Sequence, residues 1–136
     1  ELPKNFFDCV VCNDVLEHVL DPYTLLDKLH ASMVKGGVVV SSIPNVRYFH
    51  NLYSLLMAKN WEYEDAGILD KTHVRFFTIN SIRNMFERHG FSVETLEGIN
   101  PMPYKPWEYR LANIIMRGKF TDTQYMQFAC VAKKGR

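Results

Sequence analysis

This chain of 136 residues has almost no excess charge of either sign: 16 Lys and Arg oppose 15 Asp and Glu, for a formal net charge of +1. Its basic residues are scattered, and apart from the terminal Lys133-Lys134-Gly135-Arg136 no two stand side by side. A groove that tracks phosphates is therefore not written into the sequence, and nucleic acid is not an expected partner. Long apolar runs are missing too. None approaches the roughly 20 residues needed to cross a bilayer, and no signal peptide is visible, so no membrane span is expected. Cysteine is scarce, with Cys9, Cys12 and Cys130 alone. The C-x-x-C spacing of Cys9 and Cys12 fits redox or zinc chemistry in principle, but residues 9 and 12 of a strand point to opposite faces, and no second cysteine pair completes a zinc site. These read as free thiols in a reducing compartment, so the cytoplasm is the expected location. Internal repeats, low-complexity tracts and linkers are also absent, which points to one unit.

What is present is the composition of a globular domain, 47% hydrophobic and 23% charged. Phe6 to Cys12 is a short, nearly continuous apolar run, as in a strand covered on both faces. Asp21 can cap a helix with Pro22 in its first turn. In that helix Leu25, Leu26, Leu29 and Met33 keep helical spacing, and Gly36-Gly37 are expected to end it. Val38 to Ile43 is the next strand, stopped by Pro44. Leu52, Leu55 and Leu56 suggest a helix in a looser stretch that runs to Phe77. Thr78 can cap a helix whose Ile82, Met85 and Phe86 face the core and whose Gly90 closes it. Phe91 to Leu96 follows as a strand. Trp107, Leu111, Ile114 and Ile115 suggest a short amphipathic helix, and Gln124 to Ala132 a last strand. This order predicts an α/β fold with a largely parallel sheet and helices on both faces. Ligands of such sheets bind beyond the carboxyl ends of the strands, which puts Cys12-Asn13-Asp14 and Ser42 to Asn45 on one rim.

The stretches "FDCVVCNDVLEHVLDP", "LLDKLHASMVKGGVVVSSIPN" and "LDKTHVRFFTINSIRNMFERHGFSVE" together resemble the second half of a class I S-adenosylmethionine-dependent methyltransferase. The resemblance implies a partial Rossmann-like sheet holding the family's fourth, fifth, seventh and sixth strands in that spatial order (4-5-7-6), with the last strand antiparallel. The family's glycine-rich turn has no counterpart in these residues, which contain no G-x-G-x-G. Residues 1–136 are therefore expected to be the C-terminal part of one methyltransferase domain, with 45–77 and 100–118 as insert or lid segments. The strand at 6–12 would then present an apolar edge, through which a homodimer is expected. The resemblance implies S-adenosylmethionine as cofactor, with Cys12, Asn13 and Asp14 along its methionine portion. Ser42, Pro44 and Asn45 would border the acceptor.

One constellation carries the chemistry. If Asn13 to Val19 forms a helical turn, Asp14, Glu17 and His18 share a face. Within the methyltransferases this resembles the [DE]-x-x-E-H pattern of small-RNA 2′-O-methyltransferases and ubiquinone-pathway O-methyltransferases. That resemblance implies a divalent cation on Asp14, Glu17, His18 and the later His73. Alternatively, Glu17 and His18 only cap and brace the turn, or His18 acts as a general base. His18 and His73 are the catalytic candidates. Arg75 is a candidate to pair with Asp70 or Glu17, or to bind an acidic acceptor. Tyr48, Phe49, Trp61, Tyr63, Tyr104, Trp107 and Tyr109 would supply lids, or core. The expected reaction is methyl transfer, to oxygen, on a small-molecule or saccharide hydroxyl. The competing reading is a non-catalytic methyltransferase-like module used for self-association or partner binding.

Overall fold

The computed structural model describes residues 2–135. Strand β1 (Phe7–Asn13) lies parallel to β2 (Met33–Pro44), with Cys9 opposite Val38 and Asn13 opposite Ser42. Parallel neighbours require a crossover, and helix α1 (Pro22–Ser32) provides it. Asp21 sets where α1 starts: its Oδ1 accepts from the N–H groups of Tyr23 at 3.1 Å and Thr24 at 3.0 Å. The helix ends a turn before the glycine pair expected to end it. Ser32 Oγ bonds back to the Leu29 carbonyl at 2.9 Å, and Met33, fully buried, is already extended. The residues up to Gly37 form a bulge, since Phe7 pairs with Met33 while Cys9 already pairs with Val38, and Gly36 turns there at φ +78°.

Helix α2 (Phe49–Tyr53) runs into a π-helical turn at Ser54–Ala58. A long connection then leads to α3 (Ile79–Arg88), where Thr78 and Ser81 form a reciprocal capping box. Strand β3 (Phe91–Pro101), helix α4 (Trp107–Ile115) and strand β4 (Tyr125–Lys134) complete the chain. The sheet order is β1-β2-β4-β3, with β4 antiparallel to both neighbours. This is the order implied by the methyltransferase resemblance. β1 is an outer strand, and Val11 on it and Phe6 just before it are exposed.

The main core joins Val39, Ile43, Phe128 and Cys130 of the sheet to Leu26 and Leu29 of α1 and to Ile82, Met85 and Phe86 of α3. A second, small core gathers Phe49, Met102 and Tyr109, with Tyr48 and Phe120 packed against it. This second core decides how α2 and α4 are turned. Phe49 and Tyr109 meet edge to face at 5.5 Å, so α4 buries its Tyr109 side. The apolar residues that suggested α4 face solvent instead: Trp107 is 67% exposed, Ile114 75% and Ile115 67%. Leu55 and Leu56, which suggested the preceding helix, are likewise exposed.

Candidate active site

The carboxyl ends of β1 and β2 form one rim, as expected, and the Asp14 N–H donates to the Ser42 carbonyl across it at 3.1 Å. Cys12 is buried just below, while Asn13 and Asp14 are exposed. Asp14 has a left-handed backbone at φ 51°, a conformation that Asp tolerates better than most residues. Its carboxylate accepts from Gln127 Nε2 of β4 at 2.6 Å.

The turn that follows is not the helical segment expected over Asn13 to Val19. It is a single 3₁₀ turn, Leu16–His18, so α-helical spacing does not explain how its side chains meet. Two long-range bonds do. The N–H groups of Val74 and Arg75 both donate to the Glu17 carbonyl, at 2.9 and 3.1 Å, and tie the distant loop onto the turn. His73 thereby arrives beside Glu17 and His18, with the two imidazole rings 4.7 Å apart, edge to face. One ligand atom from each of Glu17, His18 and His73 lies within 4.8 Å of the others. Asp14 lines the same cavity but stands outside this triple.

The two histidines are oriented alike. His73 Nδ1 lies 2.9 Å from the Ile68 carbonyl, and His18 Nδ1 lies 3.2 Å from the Thr72 carbonyl. A carbonyl can only accept, so each bond puts the proton on Nδ1 and leaves an Nε2 lone pair on the neutral ring. Backbone carbonyls fix metal-binding histidines in just this tautomer. Asp70 steadies the loop by accepting from the Thr72 hydroxyl at 2.6 Å and the Thr72 N–H at 2.7 Å, and these bonds hold its carboxyl below the ordinary range.

Glu17 is the anomaly. It is 1% exposed, and neither carboxylate oxygen has a hydrogen-bond partner among the described residues. Burial pushes its carboxyl above the ordinary value and the nearby Asp14 adds to that, while its own backbone N–H, His73 and His18 pull the other way. A buried carboxylate without a partner is costly. It therefore marks a place where a positive ligand, or a proton, belongs.

A cavity of about 200 Å³ opens onto this group, lined by Asp14, Glu17, Pro44, His73 and Gln127 with Ala66 to Ile68 of the loop. A second, of about 430 Å³, shares Gly67, Ile68 and Met126 with it and extends past Tyr48, Asn51 and Tyr63. Segment 45–77 thus walls both cavities, whereas 100–118 lines neither.

Several other candidates have different work. Asn45 is fully buried, and its amide bonds the Asp122 and Tyr125 carbonyls and the Arg47 N–H, which makes it a pin between β2 and β4. Arg75 bonds the Leu20 carbonyl through Nε and Nη2 instead of pairing with Asp70 or Glu17. The cysteines are free, and burial raises the Cys12 thiol and pushes Cys130 up to about 11, which disfavours thiolate chemistry at either. Among the lid aromatics, Tyr48 and Tyr63 line the larger cavity, Trp61 packs edge-on to Phe76, and Tyr104 and Trp107 are exposed. Gln127 went unnoticed from sequence. Its one signal is a polar side chain within the apolar stretch from Tyr125 to Ala132.

Residues 1–96 match the model of the methyltransferase domain family. The chain belongs to that family. A ubiquinone biosynthesis O-methyltransferase of Psychrobacter arcticus is 32% identical over 106 residues, which is 74% of this chain and 40% of the relative. Among solved structures, a SAM-dependent methyltransferase of Archaeoglobus fulgidus superposes with a TM-score of 0.65 at 17% identity, over 98% of this chain and 62% of that one. A Burkholderia thailandensis 1,6-didemethyltoxoflavin N1-methyltransferase, solved with its substrate and S-adenosylhomocysteine, gives 0.58 at 13% identity over 98% and 46%. At these identities the structures speak for the fold: this methyltransferase domain has the Rossmann-like fold of the class I S-adenosylmethionine-dependent enzymes. The chain spans less than two thirds of each of these relatives. No helix among the described residues is long and apolar enough to cross a membrane.

Proposed function

We propose that the protein carrying this methyltransferase domain moves the methyl group of S-adenosylmethionine to an oxygen of a small-molecule acceptor, with a divalent cation held by Glu17, His18 and His73. The observation that carries this reading is the Glu17 carboxylate, buried without a partner and facing two imidazoles whose lone pairs point away from their backbone anchors. Bracing of the turn alone would leave those oxygens unexplained. A mixed carboxylate and imidazole set suits Mn²⁺, Fe²⁺ or Zn²⁺, and Mg²⁺ less readily. The cation would lower the pKa of a hydroxyl bound beside it.

The cofactor supplies an electrophilic methyl when bound. Cys12, Asn13 and Asp14 fit its methionine portion, since Asn13 and Asp14 offer exposed polar groups at a strand end. The larger cavity, with Tyr48 and Tyr63 on its wall, suits an acceptor that reaches inward toward Glu17. With the Nε2 atoms of His73 and His18 both on the cation, the acidified hydroxyl would release its proton to solvent. Alignment of acceptor and methyl within these walls would supply much of the rate. The Psychrobacter relative, an O-methyltransferase by name, favours oxygen as the target.

Calorimetry on the full-length protein tests this without knowing the acceptor. S-adenosylhomocysteine and Mn²⁺ should both bind, and Glu17→Gln should abolish Mn²⁺ binding while sparing S-adenosylhomocysteine. Absence of S-adenosylhomocysteine binding would refute the methyltransferase reading. Unchanged Mn²⁺ binding in Glu17→Gln would refute the metal.

A further inference from the structure

Helix α4 is fixed in place and turned inside out. Its inner side is anchored: Tyr109 is 4% exposed against Phe49, and the Asn113 side chain accepts from the Phe120 N–H at 3.2 Å. The segment that follows is braced as well, because Arg47 pairs with Asp122 at 2.8 Å and bonds the Lys119 carbonyl at 3.1 Å. The outer side carries Trp107, Leu111 and Ile114 at spacings of four and three, with Ile115 beside them, all exposed. Exposed apolar residues scattered singly mean little, but a stripe along one anchored helix is a surface that something covers.

The charge around the stripe says what covers it. Lys105, Arg110, Arg117 and Lys119 are all exposed, and Glu108 is the one acidic residue from Tyr104 to Lys119. A chain whose whole formal excess is +1 therefore carries a local excess of +3 on this insert, and the remainder is net acidic. On a helical wheel Arg110 borders the Trp107, Leu111 and Ile114 stripe on one side, and Arg117 and Lys119 follow just beyond the helix end. An apolar ridge with an aromatic residue and a basic flank matches the boundary between acyl chains and anionic headgroups. The helix is far too short to span a bilayer but long enough to lie in its surface.

We propose that α4 docks the protein on an anionic membrane surface, with Trp107, Leu111, Ile114 and Ile115 entering the interface and the flanking Arg and Lys residues contacting headgroup phosphates. The inference rests on α4 and its surroundings, independently of the chemistry proposed at Glu17.

The test is flotation of the full-length protein with two kinds of vesicle, phosphatidylcholine alone and phosphatidylcholine with about one third phosphatidylglycerol. Binding is expected to the anionic vesicles and to weaken with salt. Ile114→Ser/Ile115→Ser and, separately, Arg110→Gln/Arg117→Gln should each weaken it about tenfold or more, with the melting temperature unchanged. The charge pair leaves the apolar stripe intact, so it decides the matter if the isoleucine pair fails to fold. No binding to anionic vesicles would overturn the proposal, as would binding that both variants retain. A dimer dissolved by Ile114→Ser/Ile115→Ser in the absence of vesicle binding would assign the face to a second copy instead.

Discussion

Helices α3 and α4 obey opposite rules. In α3 the apolar residues Ile82, Met85 and Phe86 are at most 3% exposed and fill the space beneath the sheet. In α4 the apolar residues Trp107, Leu111 and Ile114 point to solvent while Tyr109 is buried. Periodicity marks a face that wants a partner and does not say where the partner is. For α3 it is the sheet; for α4 none of the described residues supplies it. Glu17 is the converse case, a charged group placed where an apolar one would cost less. A buried unpartnered acid and an exposed apolar stripe are both departures from the ordinary burial of residue types.

That contrast can be broken most forcefully at the cores. Phe86→Ala should destabilise the protein by about 3–5 kcal/mol in urea unfolding, because it empties a fully enclosed site. A loss as small as that of a surface substitution would mean that α3 does not pack as described. Next in size is the effect of a cation on Glu17. At a Mn²⁺ concentration about a hundredfold above the dissociation constant, stability should rise by about 2.7 kcal/mol in the wild type and by nothing in Glu17→Gln.

The same residue predicts a pH dependence for the metal-free protein. Because its folded pKa is raised, Glu17 contributes stability below the ordinary carboxylate pKa, and that contribution is lost as pH rises through the raised value. The folded state holds more protons than the unfolded state in that window. Unfolding midpoints should therefore fall with pH more steeply in the wild type than in Glu17→Gln. Identical slopes would mean that the carboxyl is not desolvated.

Smaller effects sharpen the account of α4. Tyr109→Ala should cost about 2 kcal/mol and raise amide exchange across 104–119, since it removes the anchor of the small core. Ile114→Ser should change stability by no more than about 0.5 kcal/mol. If Ile114→Ser costs as much as Tyr109→Ala, α4 is turned the other way.

Much of the scaffold was legible from residues alone. The runs at Phe6 to Cys12, Val38 to Ile43 and Gln124 to Ala132 became β1, β2 and β4 because short apolar runs bounded by turn signals pair into a sheet, although β1 lies at its edge and is largely exposed and not covered on both faces. Asp21-Pro22 and Thr78 marked helix starts because their side chains satisfy the free N–H groups there. The end of α1 was not legible: Met33 continued the helical spacing, but its burial against the sheet outweighed the glycine signal. The site was legible in its members more than in its geometry. Glu17 and His18 stood out by type, yet what brings His73 to them is a pair of backbone bonds to the Glu17 carbonyl, which side-chain patterns do not encode.

The most direct test of the site is an anomalous difference map from crystals of the full-length protein soaked in Mn²⁺. A peak is expected about 2.0–2.3 Å from a Glu17 oxygen and from the Nε2 atoms of His18 and His73. A map with no peak there, or with a fully ordered Mn²⁺ held only by other carboxylates, would contradict it.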